Sequence, residues 1–207
     1  MARLNVNPNR MELSRLKKRL VVAKRGHKLL KDKQDALIKA FLERAREGKT
    51  LREELESELG ECYKSFLLAR AQTLPAMLEQ ALMISGAKCD LHVGRQNVMS
   101  VLVPIYTVEQ GGSPVNYGLA TSLGSLDVAL ERFAALIPRL IALAAKEKAI
   151  NLMAVEIEKT RRRVNALEHV LIPGFVETIR YITMKLDEQE RSTLSRLMKI
   201  KEIVRSH

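Results

Sequence analysis

Seven positions spaced alternately three and four apart, Ile150, Met153, Ile157, Thr160, Val164, Leu167 and Leu171, constrain this chain more than any other feature. Six of the seven are apolar, and the alternation is the period at which one helix presents a narrow stripe to another. The residues between them are charged. Glu158 stands four positions before Arg162, the favourable order for an ion pair along a helix, and Arg161, Arg162 and Arg163 spread three fixed charges around one turn. An isolated helix is marginal in water and gains stability by packing its stripe. The sequence must therefore supply a second long helix.

That partner begins near the N-terminus. From Leu13 the same spacing runs through Leu16, Leu20, Ala23, His27, Leu30, Gln34, Leu37 and Phe41, with seven of nine positions apolar. Asn7 followed by Pro8 predicts the helix start, an N-cap with proline in the first helical position. Gly26 costs about 1 kcal/mol relative to alanine inside a helix, which seam packing covers, so the helix is expected to be continuous. His27 is read as a register-setting polar seam residue, since no second metal ligand lies one turn away.

Composition agrees with paired helices and excludes other classes. Hydrophobic residues make up 46% of the 207 but aromatics only 4%, with no Trp, so the bulky groups that fill a globular core are scarce. No run of about 18 apolar residues occurs and no secretory signal opens the chain, which predicts a cytoplasmic protein without a membrane span. Cys62 and Cys89 are expected to be reduced. The net charge of +11 is uneven: residues 1–40 carry 12 Lys and Arg against 3 Asp and Glu, residues 161–207 carry 10 against 6, and the rest 13 against 15. If the two ends meet, one end of the molecule is strongly positive.

The middle of the chain is less regular. Around Gly48 the helix either runs on through Leu51–Ala71 or restarts at a capping box of Thr50 and Glu53. Gly48, Lys49 and Thr50 do not form a phosphate loop, because Glu43 stands where the first glycine is needed and no strand precedes it. From Cys89 the period falls to two. The runs Cys89–Val93 and Val98–Tyr106 predict a hairpin turning at Gly94, Arg95, Gln96 and Asn97, followed by a loop over 111–118. Cys89 and His92 have metal-like spacing, but their odd separation on a strand points them to opposite faces. Helical periodicity resumes near Ser125, passes Pro138, and continues beyond Pro173 through Phe175, Ile179, Ile182 and Leu186, with a kink expected at Pro173. Leu194, Leu197 and Val204 are expected to close the pattern.

The fold expected is all-α dominated: a long antiparallel two-helix coiled coil with a short β-hairpin at the end opposite the termini. Its stretches are an N-terminal arm at 1–85, a hairpin and loop region at 86–122, and a C-terminal arm at 123–207, in one elongated domain. Two arms of roughly 75 residues, at 1.5 Å per residue, would give a rod on the order of 110 Å long.

The strings NVNPNRMELSRLKKRLVVAKRGHKLLKDKQDALI and EIEKTRRRVNALEHVLIPGFVETIRYITMKLDEQERSTLSRLMKIK resemble the D subunit of the V-type rotary ATPases. The resemblance covers essentially the whole chain, though no diagnostic motif lies between Leu51 and Leu123. It implies a non-catalytic central-stalk component without a cofactor, peripheral to the membrane within the ATPase complex. The coiled coil would enter a hexamer of catalytic and non-catalytic subunits, bind the small F subunit of the stalk, and reach the membrane rotor through a funnel-like subunit. Candidate hexamer contacts are Arg10, Lys17, Lys18, Arg19, Lys24 and Arg25 with Arg161, Arg162 and Arg163. Candidate hairpin docking residues for the F subunit are Val98, Val101, Val103 and Tyr106.

Two other classes are weaker. A basic coiled coil could bind nucleic acid or act as a scaffold, but the first 40 residues contain no aromatic to stack on a base. An enzyme would need a nucleophile with a paired base, a carboxylate pair or a cofactor loop, and none emerges.

Overall fold

The computed structural model describes residues 4–83, 86–118 and 124–206. The expected stretch boundaries at 85/86 and 122/123 fall on or beside residues outside that set. The element order is α1 (Arg10–Gln72), α2 (Pro75–Met83), β1 (Lys88–Val98), β2 (Val101–Gly111), α3 (Gly124–Ala166), a π turn (Leu167–Leu171) and α4 (Ile172–Ser206). Long helices and a two-stranded antiparallel hairpin are thus the whole of the regular structure among the described residues. The chain forms two compact units, one of residues 1–36 and 157–207, the other of residues 37–156.

Helix α1 starts two residues later than Asn7 and Pro8 predict. Asn9 caps it, its Oδ1 accepting the Glu12 amide at 2.7 Å, which satisfies a donor that the first turn leaves without a helical partner. The helix then runs unbroken through Gly48. Thr50 does not cap a new helix; its Oγ1 donates back to the carbonyls of Arg46 and Glu47. A Cβ at Gly48 would stand 3.2 Å from Ile150 Cδ1, so the glycine lets α3 approach closely. The break comes at Leu74, because the residue before a proline is driven out of helical geometry. Thr73 Oγ1 donates to the Ala69 carbonyl at 2.8 Å, and Pro75 opens α2.

In the first unit, α1 up to Ala36 lies antiparallel to α4 and the end of α3. Arg10 pairs with Glu190, and His27 Nε2 lies 3.3 Å from Glu168 Oε2. Leu16, Thr160, Val164, Thr178 and Ile182 are buried between them, with Leu13, Leu20, Ala23, His27, Leu30 and Gln34 half-buried. In the second unit the same antiparallel order joins Lys146 to Glu47, Arg139 to Glu58, Arg132 to Ser65 and Ser125 to Gln72. Leu37, Leu55, Cys62, Leu136 and Met153 are buried there, and Ala69, Leu78 and Leu126 close a cluster that joins α1, α2 and α3.

Two prolines lie inside or beside long helices, and the chain accommodates them differently. Pro138 sits within α3, which stays continuous. Before Pro173 the helix widens instead: the Ile172 N–H donates to the Leu167 carbonyl, five residues back. A proline lacks the N–H for the carbonyl four residues earlier and its ring crowds that oxygen, so a π turn relieves the conflict. This turn corrects one seam position. Leu171 is 42% exposed, because the widened turn carries it out of the stripe that Val164 and Leu167 follow.

The hairpin turn also differs from expectation. Gly94–Asn97 lie in β1, paired in register with Ile105, Pro104, Val103 and Leu102. The reversal is Met99–Ser100, whose φ angles of 51° and 70° are left-handed, as in the tight turns whose twist matches two antiparallel strands. Polar residues within β1 cost little, since that strand is exposed from Lys88 to Asn97. They resemble a turn in sequence without being one.

Candidate partner interface

The basic side chains singled out in sequence all belong to the first unit. Arg10, Lys17, Lys18, Arg19, Lys24, Arg25, Arg161, Arg162 and Arg163 are exposed. Arg10 is engaged by Glu190 and Arg162 by Glu158. The unit carries 22 Lys and Arg against 10 Asp and Glu, whereas residues 37–156 carry 13 against 14. The positive excess of the chain therefore resides in this unit, and its field favours an acidic surface.

Helix α4 adds an apolar face to the same unit. Since α1 begins at Arg10 and pairs there with Glu190, the helix beyond Arg191 runs past the start of its neighbour. Leu194, Leu197 and Val204 therefore do not close a seam: they are 56%, 57% and 70% exposed. Met198, Ile200 and Ile203 are exposed with them. Sequence periodicity marked the stripe but gave no sign that its cover ends. The Asn9 cap supplies that sign, because it fixes where the partner helix starts. An exposed apolar stripe interspersed with Arg191, Arg196, Lys199 and Lys201 suits burial in another protein better than contact with water.

The hairpin presents different residues from those expected to dock. Val101 and Val103 are buried, and Val98 and Tyr106 half-buried. Leu91, Val93, Met99, Leu102 and Ile105 are the exposed apolar groups. Alternation along the strands puts Val98, Val101 and Val103 on one face with Ile105, and Leu91, Val93 and Leu102 on the other with Tyr106.

Nothing among the described residues gathers into a metal site of three or more His, Cys, Asp or Glu ligands. Cys62 is buried and Cys89 exposed, both as thiols. His92 Nε2 lies 3.9 Å from Glu109 Oε2 across the hairpin. Near the loop after β2, the Tyr117 hydroxyl donates to Asp127 Oδ1 at 2.5 Å, and burial, reinforced by this carboxylate, pushes the phenol pKa well up. No described helix is long and apolar enough to cross a membrane.

These surfaces suit association, and comparison with known proteins supplies a family. The family described as the ATP synthase D subunit matches residues 12–202. The chain belongs to this family. The D subunit of a V-type ATP synthase from Thermoanaerobacter sp. (strain X514) is 54% identical over 206 residues, which span 99% of each chain. Its counterpart from Clostridioides difficile (strain 630), also a V-type ATP synthase D subunit, is 53% identical, over 99% of this chain and 93% of its own length. A third V-type ATP synthase D subunit, from Clostridium botulinum (strain Langeland / NCTC 10281 / Type F), is 50% identical over 98% and 96%. Members of the D-subunit family thus match this chain from the capped start of α1 to the exposed end of α4.

Proposed function

We propose that this chain is the non-catalytic central shaft of a V-type rotary ATPase, coupling ATP hydrolysis or synthesis in a hexamer to proton or sodium transport across a membrane. The end-to-end match to the D-subunit family carries this reading. The first unit's positive excess and the open stripe of α4 support its being the part that enters the hexamer cavity. Lys17, Lys18, Arg19, Lys24, Arg25, Arg161 and Arg163 would face acidic residues there, and Leu194, Leu197 and Met198 an apolar collar.

A shaft on a threefold axis presents a different side to each of three equivalent catalytic sites, so turning it changes which site favours binding, hydrolysis or release. The shaft needs no chemistry of its own. It needs unequal sides, which the uneven arginines and the π turn supply. The hairpin would hold the small F subunit of the stalk through Leu91, Val93 and Leu102, and the complex would sit on the cytoplasmic face of the membrane with a funnel-like subunit joining it to the rotor.

Reconstitution with the hexamer subunits tests this. The chain alone should hydrolyse no ATP, should co-purify with the hexamer, and should change the hexamer's turnover when added. Failure to join the hexamer, with salt-sensitive binding to DNA instead, would overturn the reading in favour of a nucleic-acid-binding coiled coil. Removing 88–111 should abolish retention of the F subunit.

A further inference from the structure

Pro138 lies in the interior of α3 and cannot donate to the Ala134 carbonyl four residues before it. That oxygen is not left bare. Gln110 Nε2, near the end of β2, donates to it at 2.8 Å. The strand thus supplies the donor that the helix lacks.

Near its base the hairpin makes a close backbone contact. Gly112, at a φ of +81°, passes so close to Gly86 that a Cβ would come within 2.1 Å of the Gly86 carbonyl oxygen. The two strands therefore leave the body of the unit through a crossing of backbone against backbone. Val101 and Val103, beside the turn, are each 7% exposed, so their cover comes from outside the ribbon, since two strands cannot bury a side chain between them. Between base and turn, β1 is open to solvent. A two-stranded ribbon is marginal on its own and depends on such attachments.

We propose that the hairpin is a strap with latched and released positions, that the Gln110 amide on the Ala134 carbonyl is the latch, and that Pro138 keeps its socket open. In an uninterrupted helix that carbonyl would already hold the amide at position 138, and a side chain could add only a weaker second bond. With proline there, Gln110 is the natural donor, and water takes its place when the strap lifts. The latch is one neutral hydrogen bond, worth roughly a twofold to tenfold shift in the equilibrium between positions. A partner that grips Leu91, Val93 or Leu102 can supply that much.

Amide hydrogen exchange on the full chain tests the latch, in the wild type, Gln110→Ala, Pro138→Ala and the double variant. Gln110 is exposed and alanine is a better helix former than proline, so both single variants fold. Gln110→Ala should speed exchange across Lys88–Gly111 roughly twofold to tenfold and leave Arg10–Ala36 unchanged. In the Pro138→Ala background the same change should have little effect, because the restored amide holds the Ala134 carbonyl. Unchanged hairpin exchange in Gln110→Ala, equal acceleration in both backgrounds, or acceleration spread over the whole chain would each overturn the proposal.

Discussion

Thr178 Oγ1 accepts the Leu4 amide at 3.1 Å and donates to the Gly174 carbonyl at 2.7 Å, so one buried hydroxyl ties the segment before α1 to α4. Thr160, equally buried in the same unit, has no hydrogen-bond partner for its hydroxyl among the described residues. The same substitution should have opposite signs at the two positions. Thr178→Val loses both bonds and should cost about 1–3 kcal/mol. Thr160→Val removes a desolvated hydroxyl and should stabilise by about 1 kcal/mol. Urea denaturation midpoints of the two variants check the contrast.

Exposure separates two leucine-zone positions that sequence spacing treats alike. Val164→Asp would place an unpaired charge in a buried site and should cost about 3–5 kcal/mol. Leu171→Asp, on the π turn and open to water, should change stability by no more than about 1 kcal/mol. Thermal unfolding followed by far-ultraviolet circular dichroism distinguishes them, and equal losses would return Leu171 to the seam.

Gly112 has no room for a side chain. Gly112→Ala combines a left-handed backbone, worth about 1–3 kcal/mol to a residue with a Cβ, with a collision against the Gly86 carbonyl. The hairpin strands should lose protection from amide exchange while α4 keeps its own.

The Tyr117 phenol binds its proton more tightly in the folded chain, through burial and then through Asp127. Because the folded pKa is raised, the stabilisation is complete below the unfolded tyrosine pKa of about 10 and is lost as pH climbs beyond it. Tyr117→Phe should flatten the alkaline fall in stability. Denaturant midpoints at about pH 8, below the window, and at about pH 11, within it, measure the difference.

Much of the helical fold was legible because the spacing of apolar residues records burial directly. Every position from Leu13 to Phe41 in the three-and-four alternation is at least half-buried. What was hidden depends on groups that periodicity does not weigh. The Met99–Ser100 turn contains neither glycine nor asparagine, while the polar Gly94–Asn97 stretch looks like a turn and is strand. The end of the seam is set by where α1 starts, a fact about Asn9 rather than about Leu194 or Leu197. The bond from Gln110 to Ala134 crosses 24 residues, and only the proline hints at a vacancy there. The basic residues of the candidate interface were visible as charge, but their gathering into one unit required knowing that residues 1–36 and 157–207 pack together.

The π turn has an implication for sequence length. A widened turn holds one residue more than a regular one, so it works as an expansion joint in the chain. Losing a single residue between Leu167 and Leu171 would close that turn into ordinary helix, returning the Pro173 ring to the carbonyl four residues before it, while leaving Val164 on one side and Thr178 on the other still facing α1. Elsewhere in α3 or α4 the same loss would rotate everything downstream by about 100° and scramble the packing. Natural variation in helix length is thus expected to concentrate at this joint.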